Sequence, residues 1–413
     1  MSLRYVIIGN SAAGIGCAEG IRKLDKSGEI TIVSSENHHT YSRPLISYLL
    51  CGKTDEQRMK YRPDSFYEDN GIRLLKGVTA ESVDPKKKTV SLSDGEALGY
   101  DRLMIAAGSY PFVPPTEGFE SVEKKFTFMT LDSALELQAS LAPESRVLVI
   151  GAGLIGLKCV EGIYGRVSSI TVVDMADRIL PSVLDKNGSE IMQEYMEEKG
   201  IEFILGDLVT KYEGSHAVLK SGRELDFDIL VTAVGVRPNV SLAEGAGCEV
   251  NRGIIVDERC ETTVKDIYAA GDCTVSHDIT TGTDKILALL PNAYMQGETA
   301  GINMAGGEAA YDKAIAMNAM GLFGLHYVTA GSYDGEEIIL PTESSRSYRK
   351  LVVKDGKLKG YIIIGDVERA GINTSLIREQ TPLDTIDFEL IKVKPQLMAF
   401  EKKERSEKLG GVR

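Results

Sequence analysis

A short apolar run that ends in a glycine-rich turn and opens a helix occurs twice in this 413-residue chain, and no other feature restricts its fold as tightly. The first copy is Tyr5-Val-Ile-Ile-Gly-Asn-Ser-Ala-Ala-Gly14, with a helix predicted over Ile15–Leu24. The second, Arg146-Val-Leu-Val-Ile-Gly-Ala-Gly-Leu-Ile-Gly156, has the full G-x-G-x-x-G spacing and is also followed by a helix. Each copy leads into another apolar strand that ends at an acid. Ile30–Val33 runs to Glu36, and Ile170–Val173 runs to Asp174. Short apolar runs alternating with helices read as buried strands of a parallel sheet. In such a unit the glycine turn lets backbone approach a pyrophosphate, and the helix N-terminus offers it unpaired N–H groups. The acid accepts a hydrogen bond from a ribose hydroxyl. Two units in one chain therefore predict two bound dinucleotides. Ser11 replaces the second glycine of the first copy, where its Cβ narrows the approach.

The rest of the composition sets limits. A chain this long holds two or three domains. With 47 Lys and Arg against 60 Asp and Glu, its net charge of −13 disfavours nucleic acid or an anionic membrane as a general partner. The six cysteines form no CxxC, and the five histidines, including His38-His39, show no ligand spacing, so no metal site is expected. They read as reduced thiols and non-ligand imidazoles. No signal-like segment opens the chain. The longest apolar run, Val147–Leu157, contains three glycines and stops at Lys158, which excludes a membrane span there. A cytoplasmic protein is the expectation. The Asp174 carboxylate suits a free 2′-hydroxyl and repels a 2′-phosphate, favouring NADH over NADPH. Arg178, one turn later, can meet a phosphate or simply pair with Asp177 or Asp174.

Four further segments carry a resemblance that covers nearly the whole chain. These are Leu103-Met-Ile-Ala-Ala-Gly-Ser109 with Pro111 and Pro114-Pro115, Thr232-Ala-Val-Gly-Val-Arg-Pro-Asn239, Ile267-Tyr-Ala-Ala-Gly-Asp-Cys273, and Tyr41-Ser-Arg-Pro-Leu-Ile-Ser47. Together with the glycine units they resemble the two-dinucleotide flavoproteins, which include NADH:rubredoxin reductases, ferredoxin reductases and pyridine nucleotide–disulfide oxidoreductases. The nearest branch is that of the rubredoxin and nitrite reductases. The resemblance implies an α/β protein with two Rossmann-like domains and a small C-terminal α+β domain. The FAD domain would be split between residues 1–110 and 240–308, with an NAD(P)H domain over 111–239 inserted. An interface domain over 309–393 and a charged tail over 394–413 would follow, with Glu401–Arg413 read as a fraying solvated helix rather than a docking arm. Asp355-Gly356 is a hairpin turn between two apolar strands within Tyr348–Gly365, and Ala370–Gln380 reads as a helix.

The same resemblance assigns FAD to Gly9, Ser11, Ala12, Ala13, Gly14, Glu36, Arg43, Pro44, Val78, Ala107, Gly108, Gly271, Asp272, Asn292 and Ala293. It assigns NAD to Gly151, Gly153, Leu154, Ile155, Gly156, Asp174, Arg178 and Gly235. Asp272 would hold the ribityl chain. The helix opened by Pro291-Asn-Ala293 would aim its N-terminus at the flavin, where a helix dipole stabilises negative charge.

No cysteine stands in the Tyr41–Ser47 segment where disulfide reductases of this family carry theirs, and Cys51 reads as a packing residue. The implied reaction is therefore hydride transfer from nicotinamide to flavin, then electron transfer to an external acceptor. That acceptor is a small redox protein such as rubredoxin, and oxygen or the rest of a larger enzyme complex is the alternative. A reading of another class is a redox-sensing interaction protein. The run Arg58-Met-Lys-Tyr-Arg62 offers either a basic docking patch for an acidic carrier or a solvated helix face. The chain has Tyr48 where ferredoxin reductases of the family carry lysine, and Lys158 where they carry glutamate. Glu161 lies one turn on, which makes Lys158 and Glu161 the candidate catalytic side chains. Either a monomer or a homodimer is compatible with the sequence.

Overall fold

Both glycine units form as strand, turn and helix because their apolar runs are buried on every side. The computed structural model describes residues 2–410, so Met1 and residues 411–413 of the predicted tail lie outside the described residues. The first sheet is wholly parallel. Its strands run in the spatial order Ile267–Ala269, Arg102–Ile105, Arg4–Ile8, Glu29–Ser34, Ile72–Lys76. A second parallel sheet runs Glu202–Leu205, Ser169–Asp174, Arg146–Ile150, Ile229–Thr232, Lys125–Thr127. It is built entirely from residues that lie in the chain between Arg102–Ile105 and Ile267–Ala269 of the first. The two passages between the sheets pair with each other as a short antiparallel ribbon, Ser109–Pro111 with Val236–Pro238.

The first glycine-opened helix spans Ala12–Leu24 and starts three residues before its predicted onset, with Ser11 as an extended N-cap. It lies against the helix Leu290–Met304 at backbone contact. A Cβ on Gly16 would stand 2.5 Å from the Tyr294 carbonyl oxygen, and one on Gly20 2.4 Å from that of Glu298. In the other direction, Cβ atoms on Gly297 and Gly301 would meet the carbonyls of Ala13 and Cys17 at 2.0 and 2.1 Å. Glycines four apart on both helices thus allow the two axes to approach more closely than side chains permit.

The C-terminal sheet is antiparallel, in the order Met317–Leu322, Leu325–Gly331, Lys357–Ile364, Tyr348–Lys354, Glu336–Leu340. Its last two long strands are joined at Asp355-Gly356, both at positive φ as a tight hairpin requires. Successive side chains point to opposite faces, and both faces are covered. Ile362 and Ile364 share one core with Val149 and Val172 of the second parallel sheet and Leu157 of the helix Leu154–Ile163. Tyr361 and Ile363 pack beneath the helix Ala370–Arg378 and the segment through Phe400.

This shared core is latched by a polar cluster. Lys350 is only 3% exposed, and its ammonium lies 2.7 Å from Asp185 and 2.8 Å from Glu337. Asp185 also caps the helix Lys186–Glu197 and accepts from the Tyr348 hydroxyl at 2.9 Å. Burial alone would raise the Asp185 carboxyl, but Lys350, the Gly188 N–H and Tyr348 outweigh it and hold it below the usual range. A depressed carboxyl contributes stability above the unfolded carboxylate pKa of about 3.9, and loses it as pH falls through the lower folded value. Lys350→Met is expected to cost about 2 kcal/mol at neutral pH, since Asp185 keeps two partners and some solvent. Urea unfolding of both forms should show that difference shrinking below about pH 4.

The tail forms a largely exposed helix, as expected. Its helix, Lys402–Leu409, is anchored by Lys408, whose ammonium lies over the Phe400 ring at 4.9 Å and donates to Ser375 at 3.3 Å. The run Arg58–Arg62 is neither a helix face nor a basic patch. It is a series of turns in which Arg58 pairs with Asp55, Lys60 with Asp64 and Arg62 with Glu19, while Met59 is fully buried.

Candidate active site

A cavity of about 540 Å³ opens at the carboxyl ends of the first sheet, where ligands of open α/β sheets bind. Its walls are the residues that directly follow the strands: Gly9 to Ala13, Ser34 to Glu36, Ala106 to Ser109, and Ala270 to Asp272. Arg43, Pro44, Val78 and Ala293 complete the lining. The structure thus brings together thirteen of the fifteen residues assigned to FAD. Gly14 stands beneath the turn instead, where a Cβ would lie 1.9 Å from the Gly9 carbonyl oxygen. Asn292 is buried behind the wall, its amide donating to the Ile315 carbonyl at 3.1 Å. The cavity size suits an extended organic cofactor.

The charged groups around this cavity are cross-linked in a way the sequence did not suggest. Glu36, expected to meet only a ribose, pairs with Arg43 and accepts from the Tyr41 hydroxyl at 2.6 Å. Tyr41 in turn accepts from the backbone N–H of Leu131 at 2.9 Å, at the start of the helix Leu131–Ser140. His38 reaches Asp132 on that helix at 2.7 Å. Asp272 lies 3.2 Å from the Ser109 hydroxyl. Burial raises its carboxyl above the usual range, against the opposing pull of Ser109 and Arg43. A buried acceptor of this kind, beside a cation and a hydroxyl, suits a polyol that brings its own donors.

The second glycine turn repeats the geometry of the first. A Cβ on Gly156 would lie 2.0 Å from the Gly151 carbonyl oxygen, whereas one on Gly153 would meet nothing within 4 Å. Gly151, at positive φ with a Cβ position 2.3 Å from the Ala233 carbonyl oxygen, is demanded as well, so only the middle glycine is free of the protein's own packing, which is why Ser11 can stand there in the first turn. The Asp174 carboxylate clasps this turn, one oxygen accepting from the Ala152 N–H at 2.6 Å and the other from Ala176 at 2.8 Å. Leu154 and Ile155 form the first turn of the following helix, and Gly235 follows the neighbouring strand. Arg178 pairs with Asp177 at 3.0 Å, the plainer of its two expected roles.

Lys158 and Glu161, on the helix that the second turn opens, form a largely buried ion pair at a three-way junction. The Lys158 ammonium sits 4.5 Å from the centre of the Tyr48 ring, and Lys53 approaches the same ring at 5.7 Å. Glu161 accepts from the Phe323 N–H at 2.9 Å, joining the second glycine-opened helix to the C-terminal sheet.

A split parallel α/β unit with a second one inserted, each with a glycine turn, an acid and an open strand end, defines a protein that binds two dinucleotides. The family described as pyridine nucleotide-disulphide oxidoreductase matches residues 3–297, and the rubredoxin NAD+ reductase C-terminal domain matches residues 320–381. The chain belongs to the pyridine nucleotide-disulphide oxidoreductase family, with FAD and NAD(H) as its cofactors, and is an FAD-dependent NADH oxidoreductase. It is 30% identical over 391 residues to the epsilon subunit of an NADH-dependent phenylglyoxylate dehydrogenase from Aromatoleum evansii, covering 92% of each chain. It is 34% identical over 321 residues to an NADH oxidase from Methanocaldococcus jannaschii, covering 75% of this chain and 71% of that one. Among solved structures, an NAD-dependent persulfide reductase from A. fulgidus superposes with a TM-score of 0.86 at 27% identity, covering 94% of this chain and 79% of that one.

Proposed function

We propose that this chain takes electrons from NADH and delivers them to a small redox protein of the rubredoxin type. The observation that carries the reading is the C-terminal sheet, whose residues 320–381 match the rubredoxin NAD+ reductase C-terminal domain and which shares a core with the nicotinamide-binding unit. When bound, FAD supplies the exchange between two-electron and one-electron chemistry. The chain's own residues bind and orient. Gly9 to Ala13 present backbone N–H groups to the pyrophosphate, and Asp272 accepts from the ribityl chain. Arg43 keeps a cation beside the cavity, and the helix Leu290–Met304 turns its positive end toward it. Asp174 selects a free 2′-hydroxyl, so NADH is preferred to NADPH. Burial holds the thiols of Cys17, Cys159, Cys260 and Cys273 protonated, and that of Cys273 is pushed up to about 12. These four are poor redox relays. The reading places the reaction in the cytoplasm. Among the described residues no helix is long and apolar enough to cross a membrane.

The test is anaerobic stopped-flow absorbance. The yellow protein should be bleached faster by NADH than by NADPH, and the reduced form should be reoxidised faster by rubredoxin than by oxygen. Rapid reoxidation by oxygen alone would make the chain an oxidase, as the name of the Methanocaldococcus relative suggests. Slow transfer to both would favour the role of a subunit in a larger enzyme, as the Aromatoleum relative suggests.

Lys158 and Glu161 belong to this reading as positioning residues. They join the helix that follows the NAD turn to Tyr48 and to the C-terminal sheet, and so set the spacing between the two cofactor sites. Lys158→Met is expected to slow bleaching by NADH about tenfold, because small misplacements of a hydride donor are costly. The flavin spectrum should be retained and Lys158→Arg should recover part of the rate. Unchanged bleaching would remove the pair from the mechanism.

A further inference from the structure

The basic run at Arg58–Arg62 is neutralised by its own acids, so a carrier needs another landing place. The C-terminal segment beyond residue 381, outside the matched rubredoxin reductase domain, has the properties of one. Its helix Phe388–Val393 and the turn Leu397–Ala399 expose Val393 at 74% and Met398 at 63%, among the most exposed large apolar side chains described. Leu409 is 67% exposed on the last helix, one turn beyond Arg405, whose guanidinium touches the Met398 sulfur at 3.2 Å. Lys402 lies one turn before Arg405 on the same helical face. Among the described residues neither Lys402 nor Arg405 has a carboxylate within 4 Å. Residues 388–410 hold six Lys and Arg against four Asp and Glu, inside a chain of net charge −13. Among the described residues, two cations without an ion-pair partner and three exposed apolar side chains thus fall within one short C-terminal segment of an otherwise acidic molecule.

The segment is linked to the flavin cavity through the core of the C-terminal domain. Ile391, Ala399 and Phe400 lie beneath it in the same core as Ile315. The Ile315 carbonyl accepts from Asn292, and the next residue, Ala293, lines the cavity.

We propose that the face formed by Val393, Met398, Lys402, Arg405 and Leu409 docks the acidic surface of the protein that accepts electrons from this chain. The inference rests on the reductase reading. A compact acidic protein suits the face better than an extended polyanion, because the net negative charge of the whole chain repels the latter while a few local cations steer and register the former. Apolar contacts at the centre with charges at the rim are the usual anatomy of such an interface.

The test uses the FAD-loaded full chain with rubredoxin as the probe, and ferricyanide as an acceptor small enough to need no docking. Val393→Glu and the double change Lys402→Glu with Arg405→Glu should each lower kcat/KM for rubredoxin about tenfold. The double change should also flatten its dependence on salt. NADH–ferricyanide turnover and the flavin spectrum should stay at wild-type values, since none of the three side chains lines the cavity. Rubredoxin reduction that keeps its rate and salt dependence in both variants would overturn the proposal. It would equally be overturned if Val393→Glu converted a dimer to a monomer with rubredoxin reduction intact, which would assign the face to a second copy. Wild-type protein that reduces ferricyanide but not rubredoxin would instead sink the reductase reading itself.

Discussion

Gly297→Val is expected to yield a protein that has lost most of its flavin and melts well below the wild type. The added Cβ would stand 2.0 Å from the Ala13 carbonyl oxygen and 2.9 Å from the Ala13 Cα, and both are backbone atoms with nowhere to turn. The helices Ala12–Leu24 and Leu290–Met304 must therefore separate, and they carry two walls of the same cavity, through Ala12, Ala13 and Ala293. Overpacking of a tight contact costs about 3 kcal/mol or more when backbone has to move, equivalent to roughly 10 °C in melting temperature for a unit of this size. Flavin absorbance per protein and thermal unfolding measure both effects. Gly371→Ala is the control. It also lies in a helix, yet nothing stands within 4 Å of its new Cβ, so it should be neutral or slightly stabilising.

Gly156→Val should separate the two cofactors in a different way. Its Cβ would stand 2.0 Å from the Gly151 carbonyl oxygen, so the helix Leu154–Ile163 has to slide off the turn that it opens. The first sheet and its cavity are built from other residues, and FAD should remain bound. The expected protein is yellow and is not bleached by NADH at concentrations that bleach the wild type. A fall in NADH affinity of about a hundredfold corresponds to about 2.7 kcal/mol, which a displaced helix N-terminus readily supplies. Titration of the flavin absorbance with NADH gives the number directly. Loss of flavin in this variant would show that the two units do not fold independently.

Much of this architecture was legible because it is local in sequence. A strand, its glycine turn and the helix that follows lie within about twenty residues, and the acid at the next strand end is reached within about thirty. The Asp355-Gly356 hairpin is equally local, since the turn residues dictate the positive φ values found there. Glu36 shows where local reading stops. Its place at a strand end was legible, but not its engagement by Arg43 and Tyr41, because that depends on a loop folding back over the cavity. The Arg58–Arg62 run failed as a basic patch for the same reason. Glu19, which neutralises Arg62, lies 43 residues earlier in the chain.

The glycine contacts between Ala12–Leu24 and Leu290–Met304 had a visible signal in the spacing Gly16/Gly20 and Gly297/Gly301. Nothing in the chain said that the two stretches would meet, since about 280 residues separate them. Lys350 had no signal at all. A lysine in an alternating strand reads as solvent-facing, and only the docking of the C-terminal sheet on the helix capped by Asp185 makes it a buried partner.

The sequence by itself therefore determined the two dinucleotide units, their acids, the absence of a cysteine beside the flavin segment and the hairpin of the last domain. Each follows from spacing, backbone freedom and burial period over short stretches of chain. The tertiary structure alone decided which charges are neutralised, which glycines carry helix–helix contact, and which face of the molecule remains cationic and apolar. Those depend on distances between residues remote in sequence, and one-dimensional spacing holds no record of such distances until the chain has packed.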